Sequence, residues 1–143
     1  MTSERPYSRA AAALRQAGLR ATRQRLALAR FLLDRGDCHL TAEDLHGEAQ
    51  KSGIRVSLAT IYNTLHQFTR AGILREVVVG PGCSYFDTNT SDHHHFFFEA
   101  DGAIVDIPAG NVSFQALPAT PAGTRICRVD VIVRLEADDK SKI

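Results

Sequence analysis

Three consecutive histidines, His93-His94-His95, are the residues of this chain best suited to chemistry. Imidazole nitrogens ligate metal ions and haem iron, and a run of three is harder to explain as ordinary surface than a single one. In a strand, successive side chains face opposite ways, so His93 and His95 would share one face and His94 would take the other. Two imidazoles on one face can reach one ion and lack only one or two further ligands. Asp87 and Asp92 are near in sequence, and His39, His46 and His66 complete the six histidines. The three cysteines, Cys38, Cys83 and Cys127, lie far apart with no C-x-x-C pair. They read as partly buried thiols rather than a zinc site or a disulfide framework. No nucleophile–base pattern, phosphate-cradling glycine loop or H-E-x-x-H motif is present, so an enzyme is not expected. The C-x-x-C-H motif is missing too, so any haem would be held non-covalently.

Charge indicates what the rest of the chain meets. Residues 1–75 hold twelve Lys/Arg against six Asp/Glu, a net of +6, and residues 76–143 hold five against ten, a net of −5. A basic half beside an acidic half suggests that the first half meets a polyanion. Eleven of its twelve cations are arginine, which suits bidentate contacts to phosphate or guanine.

The elements that must carry these groups begin with four short helices. Ser8–Ala17 is rich in helix formers and ends at Gly18. Thr22 caps a second helix that ends near Gly36. Thr41-Ala42-Glu43-Asp44 has the form of a capping box and starts a third, ending near Gly53. Ser57 caps a fourth, running to about Ala71. On that helix Leu58, Ile61, Leu65 and Phe68 form one apolar stripe, and Asn63 points away from it. Ala59, Thr60, His66 and Gln67 flank Asn63, with Tyr62 at the edge. This outward face carries hydroxyls, amides and an aromatic but no charge, which suits base edges and phosphates in a major groove.

Strand-like runs follow at Ile73–Val79 and Ser84–Phe86 around the turn Gly80-Pro81-Gly82. Helices followed by a hairpin form a winged helix, placed at residues 1–87, with a polar linker at 88–92. Residues 93–143 form the second domain, with strands expected at His93–Glu99, Ile104–Ile107 and Arg125–Leu135. Pro108–Gly123 holds three prolines and two glycines, so no long helix is expected there. That domain is small, and its sheet is expected to be completed by a partner chain. No apolar run approaches the roughly 18 residues that span a bilayer, and the N-terminus does not read as a signal peptide. A cytoplasmic protein without membrane contact is expected.

The sequence resembles the ferric uptake regulator (Fur) family from about Leu14 to Leu135. The resemblance is carried by Ala17-Gly18-Leu19-Arg20-Ala21-Thr22-Arg23-Gln24-Arg25, His39-Leu40-Thr41-Ala42-Glu43-Asp44-Leu45 and Ser57-Leu58-Ala59-Thr60-Ile61-Tyr62-Asn63-Thr64-Leu65. Ala71-Gly72-Ile73-Leu74, Tyr85-Phe86-Asp87 and the histidine run complete it. It implies an α+β protein: an N-terminal winged helix-turn-helix and a C-terminal α/β dimerisation domain, here with reduced helix content. It also implies a regulator of iron homeostasis that binds double-stranded, A·T-rich operator DNA as a homodimer or a higher oligomer.

The DNA contacts carried over by position are Arg20 in the minor groove, Tyr62 on thymine methyl groups, and Ser57 and Thr60 on phosphates. Asn63 stands where some members have arginine. The implied inter-domain site for Fe, Mn or Zn is His39, Asp87, His93 and His95. The missing C-x-x-C motif and the Pro-rich stretch in place of a dimerisation helix make the chain most similar to the iron response regulator (Irr) branch. That branch implies haem binding through His93, His94 and His95, with His46 and His66 available to a second haem, and release from DNA when haem binds. A metal-dependent or peroxide-sensing repressor of the same family is the alternative, raised by Asp87. A haem- or metal-binding protein without a DNA role is the other.

Overall fold

The computed structural model describes residues 8–138, which divide after Thr90 into two compact units. Local signals set the first unit's helices: α1 (Ser8–Gln16), α2 (Arg23–Leu33), α3 (Ala42–Lys51) and α4 (Leu58–Arg70). Thr22, Thr41 and Ser57 each accept a backbone N–H of the first turn, from Arg25, Asp44 and Thr60 respectively. At α3 the Asp44 carboxylate accepts the Thr41 N–H in return, which closes the capping box.

The apolar stripe of α4 faces inward as its spacing requires. Ile61, Leu65 and Phe68 are fully buried against Leu14, Leu28 and Leu45 of the other three helices, and Leu58 packs at the margin. Each such side chain contributes roughly 1.5–3 kcal/mol of hydrophobic stabilisation. Thr64 is also buried, and its hydroxyl donates to the Thr60 carbonyl one turn earlier.

Three strands complete this unit: β1 (His39–Leu40), β2 (Arg75–Gly80) and β3 (Cys83–Asp87). They lie in the order β1-β3-β2, all antiparallel. The hairpin β2–β3 is the expected wing, with Gly82 at its turn in the left-handed region (φ 66°) where a side chain would strain the backbone. Strand β1 was not expected; it exists through its pairing with β3, with His39 opposite Asp87 and Leu40 opposite Phe86.

The second unit is a three-stranded sheet in the order β5-β4-β6, from β4 (His93–Phe98), β5 (Ile104–Pro108) and β6 (Ile132–Leu135). β5 runs antiparallel to β4 and β6 parallel to it. Pro108–Gly123 contains only a single turn of 3₁₀ helix at Ala109–Asn111. The strand expected over Arg125–Leu135 is confined to its last four residues. The ladder stops at Val131 because its N–H goes to the Nδ1 of the His94 ring (3.1 Å) instead of a backbone carbonyl of β4.

Candidate metal ligands and nucleic-acid face

The alternation of β4 separates its histidines by role. His93 and His95 lie together, ring centroids 4.5 Å apart. The Nε2 of each is 3.4 Å from Oδ1 of Asp106, which stands opposite His95 on β5. His93 Nδ1–H donates to the Ser91 carbonyl (2.6 Å). A carbonyl only accepts, so Nδ1 carries a proton, and in the neutral ring the Nε2 lone pair faces the carboxylate. A backbone carbonyl on the far nitrogen is the usual support of a metal-ligating histidine. Asp106 was not among the expected ligands. The one hint was an acid within the apolar run Ile104-Val105-Asp106-Ile107.

His94 turns the other way. Its Nδ1 accepts the Val131 N–H, so in the neutral ring the proton sits on Nε2. Its ring meets Phe114 edge-on at 6.1 Å. Both nitrogens are therefore committed, one as acceptor and one as N–H, and neither offers a free lone pair.

In the first unit, His39 and Asp87 meet across β1 and β3, with Nε2 3.0 Å from Oδ2. The other oxygen of the buried Asp87 accepts the Asn89 N–H (2.9 Å). Beside His39, burial pushes the Cys38 thiol above its ordinary range, so it stays a neutral thiol near the Thr88 hydroxyl. His46 is held within the fold, its Nε2–H donating to the Val56 carbonyl (3.0 Å).

The outward face of α4 is not the uncharged one expected: the exposed Arg70 lies two turns beyond Asn63 on the same face, and neighbouring elements add further charge. Gln67, expected to be open, accepts Nε and Nη2 of Arg25 through its side-chain oxygen (3.3 and 3.1 Å). His66 stacks on Tyr62 at 6.3 Å and stands 3.8 Å from Glu76 of the wing. The Tyr62 hydroxyl donates to Glu43 of α3 (2.7 Å), which raises its pKa above the ordinary tyrosine value. Asn63 is exposed and makes no side-chain hydrogen bond among the described residues. At the amino end of α4, Arg23, Arg55, Ser57 and Thr60 line one concave surface. Arg20 is exposed in the turn before α2, where its carbonyl accepts from Arg25 (3.0 Å).

Helices capped in this order, with a wing behind the fourth, make the first unit a winged helix. The small mixed sheet with paired histidines makes the whole a two-unit α+β protein. The sequence model of the ferric uptake regulator family matches residues 16–131, and the chain belongs to that family. Over 95 residues it is 42% identical to the peroxide-responsive repressor PerR of Staphylococcus aureus. That match covers 66% of this chain and 64% of the relative, so it spans less than two thirds of the relative's length. The fold is similar to the ferric uptake regulator of Vibrio cholerae (TM-score 0.68, 23% identity, 89% of this chain and 98% of that one). It is also similar to the ferric uptake regulator of Pseudomonas aeruginosa solved with manganese (TM-score 0.67, 21% identity, 90% and 97%). No helix among the described residues is long and apolar enough to cross a membrane.

Proposed function

We propose that this protein is a DNA-binding transcription regulator, not an enzyme, and that its hold on operator DNA depends on a bound divalent metal ion. The observation that carries this reading is the convergence of acceptors in the second unit. The Nε2 atoms of His93 and His95 face the same carboxylate oxygen of Asp106. Two imidazole nitrogens and a carboxylate oxygen converging on one point are a donor set that suits a divalent cation. His39 and Asp87, with Nε2 3.0 Å from Oδ2, are a second imidazole–carboxylate pair able to ligate a cation. Three donors and two donors are each fewer than the four to six that iron, manganese or zinc takes from nitrogen and oxygen. The proposed ligands are therefore His93, His95 and Asp106 in the second unit and His39 and Asp87 in the first, with water filling the positions each set leaves open. Metal occupancy is proposed to favour the state of the protein that holds DNA, which couples the ion to DNA affinity.

DNA contact is assigned to α4 and its cap, with Tyr62 and Asn63 toward bases and Ser57 and Thr60 toward phosphates, and to Arg20 before α2, toward a narrow A·T-rich minor groove. The protein would act as a homodimer in iron homeostasis.

The test is a titration of chelator-stripped protein with manganese or zinc, followed by DNA anisotropy. Asp106→Asn and His95→Ala should each weaken metal binding by roughly 10- to 100-fold or more. Metal-independent DNA binding, or variants that bind metal as the parent does, would overturn the reading.

Peroxide sensing is a second reading, favoured by Asp87 and by the likeness to PerR. It requires that hydrogen peroxide abolish DNA binding by the iron-loaded protein but not by the zinc-loaded one, since zinc has no redox chemistry. Haem-triggered release, implied by the similarity to the Irr branch, would have to break existing contacts. His93 and His95 face Asp106, His94 holds Val131, His46 holds Val56, and His66 lies between Tyr62 and Glu76. A Soret band that develops on haem titration and is lost in the His93–His95 triple alanine variant supports that reading. Absence of the band removes it.

A further inference from the structure

We infer that Glu43, outside the set of residues assigned to DNA above, is a positioning residue that fixes Tyr62 for base discrimination. The inference rests on the DNA-binding reading of α4. Glu43 lies in the first turn of α3, where a carboxylate also suits the helix dipole. A dipole role alone would leave it free in solvent. Instead it crosses to α4 and accepts the Tyr62 hydroxyl at 2.7 Å. The two residues are 19 positions apart, so the bond joins separate elements of the helix-turn-helix.

The Tyr62 ring is held at two points. The carboxylate takes its hydroxyl, and the His66 ring stacks on its face with planes 20° apart. His66 is itself set against Phe86, edge-on at 5.7 Å. An aromatic side chain fixed this way keeps one edge outward and loses little rotamer freedom on meeting DNA. An apolar ring edge in the major groove reads the methyl group of thymine. The arrangement also has a cost that argues for function. A carboxylate beside a DNA face repels phosphates, and a surface selected only for affinity would not keep it there. Glu43 therefore exchanges some general affinity for discrimination.

The experiment compares the metal-loaded parent with Glu43→Ala, Glu43→Gln, Tyr62→Phe and the double variant Glu43→Ala/Tyr62→Phe. The probe is a duplex selected by the parent from a random library. It is used alongside the same duplex with deoxyuridine replacing thymidine and a G·C-rich duplex of equal length. The parent should lose affinity on the thymidine-to-deoxyuridine change. Glu43→Ala and Tyr62→Phe should each reduce that preference roughly tenfold, and the double variant should lose no more than either alone. Glu43→Gln, whose amide oxygen still accepts the hydroxyl, should keep most of it. Additive losses, or variants that tighten on all duplexes with unchanged preference, would make Glu43 a mere surface charge and overturn the inference. A parent that selects no duplex refutes the DNA-binding reading, and the inference with it. Circular dichroism melting of each variant shows that the fold is intact.

Discussion

Replacing Arg55 by alanine should change the salt dependence of DNA binding by a calculable amount. Arg55 is exposed and shares the concave surface at the start of α4 with Arg23, Ser57 and Thr60. The N–H groups and positive dipole end of a helix add to the arginines there, so the surface suits one phosphate. Each neutralised phosphate contributes about 0.9 to the slope of log affinity against log salt. A dimer presents the contact twice, so Arg55→Ala should flatten the slope by about 1.8. Between about 50 and 200 mM salt, the ratio of parent to variant affinity should then shrink by roughly tenfold. Fluorescence anisotropy on one duplex over a salt series measures this directly. Arg30→Ala is the control, since Arg30 is already paired with Asp34 at 3.2 Å and should leave the slope nearly unchanged. If Arg55→Ala lowers affinity by the same factor at every salt concentration, the residue acts through structure and the phosphate assignment is wrong.

Two further outcomes concern stability. Arg35 donates to Glu48 (3.0 Å from Nη1, with a second bond from Nη2) and holds that carboxyl below its usual 4.5. A carboxylate with a lowered folded-state pKa adds stability that is full above the unfolded value and lost as pH falls through the folded one. With the side chains 32% and 39% exposed, the pair contributes less than about 1 kcal/mol. The stability gap between parent and Glu48→Gln should thus plateau above about pH 6 and close as the pH falls through the lowered folded-state value, and a constant gap would contradict the assignment. His94→Leu removes the acceptor of the Val131 N–H and should cost about 1–3 kcal/mol in chemical denaturation. An unchanged midpoint would show that the ring is not needed there.

What the sequence makes legible is what depends on a few neighbouring residues. Thr22, Thr41 and Ser57 cap where they do because each acceptor and its N–H are three residues apart. The inward stripe of α4 and the pairing of His93 with His95 follow from the periods of helix and strand. What was missed depends on register between distant segments. β1 is a strand only because His39 lies opposite Asp87. Asp106 joins the histidines only because β5 aligns it with His95. The run from Arg125 to Val131 has strand-like residues but carries the ladder no further than the Val131 carbonyl, which accepts the His95 N–H, since one imidazole takes the Val131 N–H that would extend it. The outward face of α4 was expected to be uncharged, yet Arg70 lies on it two turns beyond Asn63, and α2, α3 and the wing bring further charge to it.

Strand β3 has a mechanical consequence. It begins at Cys83, beside the turn of the wing, and ends at Asp87, whose carboxylate meets His39. Five residues of extended chain are about 14 Å of rod. It is the middle strand of its sheet, bonded to β1 at Phe86 and Asp87 and to β2 from Cys83 to Asp87 with one irregularity between Val78 and Gly80, so bending it between Ser84 and Asp87 would break a ladder. A pull on the Asp87 carboxylate is therefore delivered to the wing as displacement of a stiff lever, with no loop between to absorb it.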